Sequence, residues 1–347
     1  MNIKSLLIGS AAALAAVSGA KAADAIVAAE PEPLEYVRVC DAFGAGFFYI
    51  PGSETCLKFD GFVRFQVDVN RGTGIGTGTN NRTSDWDAFS RAQFNIDARS
   101  DTELGVLRGY IGLQGNTDNA GTTVATDAVF VEQAFIELGG LKVGKFYNWW
   151  DAGLSGETDN LASNTLFNSI RYTYDAGSFY AGLSVDELEG VTYTVTGDQP
   201  NNVGFSGALG GKFGGAAVEV LGGYDVDRSN GAARIIATAD VGPGQLGLGA
   251  AWASGANAYF AVSEWAIAAQ YAYKATDKLT ITPGVQYYSN YGLVSQDNFS
   301  NNDGWKGGLT VDYKITDGLS TKLAVNYLDI DNTPKAWTGF VRLQRSF

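Results

Sequence analysis

The sequence contains no histidine, and its one methionine is the first residue. Without histidine, neither a Ser–His–Asp triad nor a histidine-bound metal centre can form, and no paired-carboxylate motif stands out. We therefore expect no enzyme activity, no cofactor and no metal site. Basic residues are also scarce: 24 Lys and Arg stand against 37 Asp and Glu, and the resulting net charge of −13 opposes nucleic-acid binding.

Long apolar runs are missing as well. The stretch Leu6–Val17 follows Lys4 and precedes the small-residue pattern Ala20-Lys21-Ala22, which together predict a secretory signal peptide over residues 1–22. Its removal, with two lysines, takes the net charge from −13 to −15. No later run approaches the ~20 apolar residues that a membrane-spanning helix needs.

Cysteine occurs only twice, as Cys40 and Cys56. An exported chain meets an oxidising compartment, so we expect the two to form a disulfide. A redox or zinc pair is the alternative, but the spacing matches neither pattern.

In place of long runs, the chain shows strict alternation. Apolar side chains and Gly61 occupy the odd positions of residues 57–69, with polar ones between them except at Phe62, and residues 88–101 repeat the pattern on even positions. Alternation over such lengths predicts strands with one dry face and one wet face. Strands of 9–13 residues with these two faces are typical of a membrane β-barrel.

The connections between these segments alternate in length. Seven short turns and eight longer polar loops imply sixteen antiparallel strands over residues 57–347. A soluble β-sandwich gives no reason for this alternation, whereas bacterial barrels have short periplasmic turns and longer external loops. The turns fall near 101–103, 139–140, 175–177, 214–215, 242–245, 276–278 and 316–318, and the loops near 70–87, 117–127, 148–166, 187–202, 227–231, 255–262, 290–302 and 329–335.

Aromatic residues recur at both ends of the apolar faces. Eight or ten residues of tilted strand rise about 20 to 25 Å, the height of a lipid-facing band with aromatic rims. Aromatic filling of a sandwich core would not mark both ends. The pairs are Trp265 with Tyr273, Trp305 with Tyr313, and Trp337 with Phe347.

Both ends of the mature chain resemble a known family. The segments are Glu30–Pro33, Tyr36–Asp41, Phe48–Gly52, Thr55–Leu57 with Gly61–Arg64, and Gly339–Arg342 with Ser346-Phe347. They are similar to the general outer-membrane porins of alphaproteobacteria, and the resemblance covers essentially the whole chain. It implies an outer-membrane homotrimer of sixteen-strand barrels in lipid and lipopolysaccharide, with the third external loop folded into the lumen. It also implies that Phe347 is read by the barrel-assembly machinery.

We therefore predict an outer-membrane channel for passive diffusion of small hydrophilic solutes and ions, with a weak cation preference. The loop after the fifth strand, about 148–166, is the candidate constriction, with Trp149, Trp150, Asp151, Glu157 and Asp159. Alternation also places basic residues on the lumen side, where they would face the acidic loop. These are Arg64, Arg91, Arg99, Arg108, Arg171, Arg234, Lys274, Lys306, Lys322 and Arg342.

Three points stay open at this level. Residues 23–56 form an N-terminal segment on the periplasmic side, placed at the mouth of the barrel or partly within it. A substrate-specific channel and a structural or adhesive surface barrel are the alternative functions. The inward-facing aromatics form no row of the kind that sugar channels show, which favours general diffusion; they are Phe62, Tyr110, Tyr180 and Tyr288.

Overall fold

The computed structural model describes residues 38–69, 86–118, 129–191 and 202–347. The predicted signal peptide, residues 23–37 of the N-terminal segment and most of three predicted long loops lie outside these ranges. Among the residues that the structure describes, no helix has the length and hydropathy that a membrane crossing needs.

About two thirds of the described residues lie in strands. Two three-residue 3-10 turns, Asp41–Phe43 and Trp149–Asp151, accompany the strands. The strands are β1 (Phe48–Tyr49), β2 (Cys56–Val69), β3 (Trp86–Thr102), β4 (Gly105–Asp118), β5 (Phe130–Leu138), β6 (Leu141–Tyr147), β7 (Leu166–Asp175), β8 (Phe179–Glu187), β9 (Val203–Phe213), β10 (Ala216–Asp225), β11 (Asn230–Val241), β12 (Gly244–Ala253), β13 (Ser263–Lys274), β14 (Leu279–Tyr291), β15 (Gly304–Thr316), β16 (Leu319–Ile330) and β17 (Ala336–Ser346).

Strands β2 to β17 form a closed barrel. Each pairs antiparallel with the next along the chain, and β17 returns to pair with β2 from Gly339↔Val69 to Ser346↔Phe62. The prediction of a sixteen-strand antiparallel barrel is confirmed. Closure gives each of these strands a hydrogen-bonded neighbour on both sides. Hydrocarbon offers no partners for backbone N–H and C=O groups, so a β-structure can cross it only in this closed form.

Side chains alternate across the barrel wall as the sequence predicts. On β8, Phe179, Leu183 and Val185 point outward and are exposed, whereas Ser184 and Asp186 point inward and are buried. All six predicted rim aromatics are exposed on the outer face. Three outer aromatics on β15, β16 and β17 pack in a row, with ring centroids 5.5 Å apart for Trp305–Tyr327 and 4.8 Å for Tyr327–Trp337.

Short turns join the strands at one end of the barrel, which we call the turn end. Glycine supplies the left-handed backbone in several of them, for example Gly139 at φ 56° and Gly318 at φ 71°. At the opposite end, the loop end, one prediction is wrong. The connection predicted near 227–231 is the four-residue turn 226–229, because Asn230 and Gly231 already belong to β11 and pair with β10.

The described part of the N-terminal segment lies at the turn end. Strand β1 pairs with β2 at Phe48↔Leu57 and Tyr49↔Cys56, on the edge of β2 that β17 occupies further along. The predicted disulfide between Cys40 and Cys56 is present and buried. Further along β2, Phe347 exchanges two backbone hydrogen bonds with Gly61, 3.1 and 3.2 Å long.

Candidate functional site

The connection 148–165 between β6 and β7, which we call the inner loop, contacts inward-facing side chains of several strands. It starts with the turn Trp149–Asp151, where the side chain of Asn148 accepts a hydrogen bond from the backbone N of Trp150. Arg234 on β11 donates to the carbonyl oxygens of Trp149 at 2.9 Å and Trp150 at 2.8 Å. The start of the inner loop is thereby tied to the barrel wall.

The middle of the inner loop is fastened to strands β13 to β15. Backbone amides of Gly156, Glu157 and Asn160 donate to side-chain oxygens on the wall. The acceptors are Gln270 at 2.9 Å, Thr310 at 2.9 Å and Gln286 at 2.5 Å. All three acceptors are buried on the face opposite the exposed apolar residues, so the loop contacts the inner face of the sheet.

One side of the inner loop is apolar. Trp150, Leu154 and Leu161 are buried in one cluster with small inward-facing residues of β9 to β13 such as Ala208, Ala251 and Ala268. The wall is shaped for this contact, since a Cβ added to Gly249 would lie 2.5 Å from Cδ1 of Leu161. Strand β10 belongs to the same surface. Its inward-facing Leu221 departs from the apolar and polar alternation of the barrel because it contacts this apolar cluster and not water.

A second connection, residues 254–262 between β12 and β13, packs against the inner loop. The backbone N of Ser163 donates to the carbonyl oxygen of Tyr259 at 2.8 Å. The Tyr259 hydroxyl in turn donates to Asp186 on β8 at 2.8 Å. Asp186 is fully buried and also accepts hydrogen bonds from three serine hydroxyls at 2.6 to 2.7 Å: Ser169, Ser184 and Ser206.

We expect Asp186→Ala to destabilise the barrel by about 3 kcal/mol or more, because four buried hydroxyls then lose a charged acceptor. Urea unfolding of the detergent-solubilised protein measures the difference. The matched control is Ser184→Ala, which removes one donor and leaves the carboxylate three partners, so it should cost about 1 kcal/mol. Equal losses in the two variants would contradict the role of Asp186 as the shared acceptor.

The uncovered part of the inner face carries three arginines on adjacent strands, Arg342 on β17, Arg64 on β2 and Arg91 on β3, which we call the arginine trio. Each Nε donates to an amide oxygen on a neighbouring strand. The bonds are Arg64 to Gln344 at 2.9 Å, Arg91 to Asn116 at 2.7 Å and Arg342 to Gln66 at 2.6 Å. Because these partners are neutral, they orient the guanidinium groups without cancelling their charge.

Each member of the trio also lies over a phenylalanine two positions earlier on its own strand. The guanidinium carbon is 4.7 Å from the ring centroid of Phe62, 5.6 Å from that of Phe89 and 4.4 Å from that of Phe340. Phe62, which breaks the apolar alternation of β2, therefore supports Arg64 through a cation–π contact. The repeated Phe-x-Arg triplet is a signal that the sequence offered and alternation alone missed.

Glu157 of the inner loop is the acidic group associated with the trio. It accepts a hydrogen bond from Nζ of Lys322 at 2.9 Å, and its charge attracts both Arg64 and Arg342. The structure thus brings an acidic loop residue towards two of the three arginines.

The other predicted site residues are distributed differently. Trp150 is buried in the apolar cluster, and Asp151 is exposed and accepts from Thr165 at 2.9 Å. Asp159 is associated electrostatically with Lys306 and Arg234. The remaining basic residues lie apart from the trio: Arg99 and Arg108 both bind Asp97 at 2.7 and 2.9 Å, Arg171 lies between two aromatic rings, and Lys274 is exposed at the turn end.

Comparison with known proteins identifies related chains. A family model described as the porin subfamily matches residues 24–343. The outer membrane protein IIIA of Rhizobium leguminosarum bv. viciae is 49% identical over 98% of this chain and 93% of its own length. Porin Omp2b of Brucella abortus is 34% identical, and the match covers 100% of both chains.

Solved structures show the same fold at low sequence identity. The outer membrane channel DcaP of Acinetobacter baumannii superposes with a TM-score of 0.64 at 14% identity, over 86% of this chain and 99% of that one. A trimer form of OmpT, an outer membrane protein of Vibrio cholerae, gives a TM-score of 0.59 at 16% identity, over 85% of this chain and 100% of the other.

Proposed function

This chain belongs to the porin subfamily and forms an outer-membrane channel for passive diffusion, and on that basis we propose that its channel narrows between the inner loop and the arginine trio. The predictions of family, location and channel function are confirmed by these relatives, which are channels and not enzymes. The narrowing is a finer proposal. Its main support is the Glu157 carboxylate, which binds Lys322 on β16 and attracts Arg342 and Arg64 on the next two strands, β17 and β2.

The proposed constriction carries charges of both signs, the Glu157 carboxylate and the arginine trio. Fixed charges of this kind create a field across the channel that orients dipolar solutes and sorts small ions by sign. We propose that the net preference is a weak one for cations. The overall negative charge of the chain, −13 with the signal peptide, favours cations, and the arginine trio opposes that preference.

The proposal is tested by Glu157→Gln. Removing the loop carboxylate should lower the cation-to-anion permeability ratio about two- to threefold, since one negative charge leaves the narrow region. The reversal potential under a KCl gradient in a planar bilayer measures this ratio. The matched control is Asp151→Asn, which removes an exposed acid of the same loop and should change the ratio far less. Identical ratios in both variants would reject the constriction at Glu157.

The pH dependence offers a second test. Burial raises the pKa of the Asp159 carboxyl, although a backbone hydrogen bond from Leu154 and the charges of Lys306 and Arg234 act in the opposite direction. A carboxyl with a raised pKa loses its negative charge earlier as the pH falls. We expect the cation preference to start weakening at a pH where exposed carboxyls are still ionised. Reversal potentials from pH 7 downward should show this early change in the wild type but not in Asp159→Asn; superimposable profiles would contradict it.

We also propose that the barrel is a homotrimer that faces the periplasm with its turn end. A trimeric form of a protein with the same fold supports the first part, as does a small-residue outer surface on β3 formed by Ala88, Ser90, Ala92 and Ala98. The family resemblance supports the orientation with the turn end towards the periplasm. It also supports the proposal that the barrel-assembly machinery recognises Phe347. Native mass spectrometry of the detergent-solubilised protein decides the stoichiometry, and a monomer would reject the trimer.

A further inference from the structure

A second group of cations lies on the inner face of β4 to β7. Here cationic groups and aromatic rings alternate across four neighbouring strands and into the start of the inner loop. Arg108 lies 5.1 and 5.2 Å from the ring centroids of Tyr110 and Phe135, Lys142 lies 3.8 and 4.6 Å from those of Phe135 and Phe146, and Arg171 lies 4.7 and 3.8 Å from those of Phe146 and Trp149.

Glu137 lies opposite Lys142 on the neighbouring strand, but carboxylates reach ion-pair distance of only some cations in this region. Arg99 and Arg108 each use Nε and Nη2 to bind the two carboxylate oxygens of Asp97, at distances of 2.7 to 3.0 Å. Arg108 also reaches Glu137 at 3.3 Å. Lys142 and Arg171 are direct partners across β6 and β7. Within the described ranges, neither of these two cations makes an ion pair with a carboxylate.

Arg171 is the more unusual of the two. It is only 8% exposed, and its Nε and Nη2 atoms are buried without a hydrogen-bond partner among the described residues. The nearby carboxylate of Asp186 already accepts bonds from four hydroxyls. Arg171 therefore presents, unoccupied, the same pair of donors with which Arg99 and Arg108 bind Asp97. A buried guanidinium without an acceptor is costly, and a carboxylate placed side-on would satisfy both donors.

We propose that Lys142 and Arg171 form a binding site for aromatic carboxylates on the channel wall. The carboxylate binds the Nε and Nη2 donors of Arg171 and the ammonium of Lys142, and the flat apolar ring packs among Phe135, Phe146 and Trp149. Trp149 belongs to the inner loop and not to the wall, and it is the ring that shifts to admit the ligand. Chloride offers neither two oxygens nor a ring, so ordinary salt does not fill the site.

Single-channel recording in KCl with added benzoate tests the site. We expect benzoate to block the wild-type current saturably, with half-block at about 1–10 mM, the range of a weak specific site. Acetate has the carboxylate without the ring, and benzyl alcohol has the ring without the charge. Each should need at least tenfold higher concentrations for the same block. Equal block by benzoate and acetate would overturn the proposal.

Variants separate the donor pair from charge alone. Arg171→Gln and Lys142→Gln should each raise the half-block concentration about tenfold. Arg171→Lys keeps the charge but lacks the two parallel donors, and it should weaken the block about fivefold or more. The matched control is Lys274→Gln, which removes a charge at the turn end and should leave the half-block concentration within about twofold. Wild-type block in Arg171→Lys would overturn the proposal.

Each variant is its own reference, because block is expressed relative to its current in benzoate-free KCl, and an open channel demonstrates a folded barrel. The site is also separable from the constriction. Glu157→Gln tests the constriction through reversal potential, whereas benzoate block tests Lys142 and Arg171, so the failure of one leaves the other standing.

Discussion

Replacing Arg64, Arg91 and Arg342 together with glutamine is expected to raise the cation-to-anion permeability ratio about fivefold or more at 0.1 M salt. The three guanidinium groups lie on adjacent strands, and their Nε partners are neutral amides, so these hydrogen bonds leave their positive charge in place. Removing it leaves the Glu157 carboxylate without the arginine trio at the proposed constriction. Reversal potential under a KCl gradient measures the change.

The matched control keeps the charge and changes the geometry. Arginine-to-lysine replacement at the same three positions preserves the positive charges but lacks the donor fork that holds each arginine to its amide. Its permeability ratio should stay within about twofold of the wild type. A triple glutamine variant with the wild-type ratio would show that the trio lies outside the path of the ions.

Leu161→Asp is expected to detach the inner loop from the wall and at least double the single-channel conductance. Leu161 is 3% exposed and packs among apolar side chains, so an unpaired carboxylate at this position costs several kcal/mol unless the loop leaves the cluster. Once detached, the loop no longer holds its ladder of hydrogen bonds to Gln270, Gln286 and Thr310. Conductance histograms in KCl, together with uptake of larger sugars into proteoliposomes, measure the widening.

Two further variants show whether the effect comes from the contact itself. Leu161→Met conserves volume and should leave the conductance unchanged. Gly249→Leu attacks the same contact from the wall, where even a Cβ would lie 2.5 Å from Leu161, and should reproduce the wide channel. A narrow channel in both Leu161→Asp and Gly249→Leu would show that the hydrogen bonds hold the loop without its apolar side.

The architecture was predictable because lipid imposes a simple code on the sequence. A closed barrel in hydrocarbon must alternate dry and wet side chains along every strand, and residues 57–69 and 88–101 do so. The departures have local causes. Phe62 lies under Arg64, and Leu221 on β10 meets the inner loop in place of water. The polar run after Asp225 predicts a longer loop, but Asn230 and Gly231 at the end of that run belong to β11 and pair with β10.

The candidate site was only partly predictable. Alternation identifies which arginines face inward, but it does not show which of them meet, since Arg64 and Arg342 are 278 positions apart in the chain. The contacts of the inner loop join Gly156 to Gln270 and Asn160 to Gln286, and no local pattern announces such pairs. Sequence reasoning also missed Lys142 and the part played by Tyr259. The inward-facing aromatics Phe135 and Phe146 lie on neighbouring strands, and the alternation along a single strand does not show that they meet.

The short strand β1 has a consequence for how the cylinder is sealed. When β17 pairs with β2 to close the barrel, registers shifted by two residues would keep every side chain on its proper face. Strand β1 already occupies the rim of β2 at Cys56 and Leu57, and the disulfide pins it there. In the structure β17 ends opposite Gly61, where Phe347 exchanges two backbone hydrogen bonds. An alignment shifted by four residues would place Phe347 opposite Leu57, which β1 already occupies, so the two-residue strand limits how far the seam can slip.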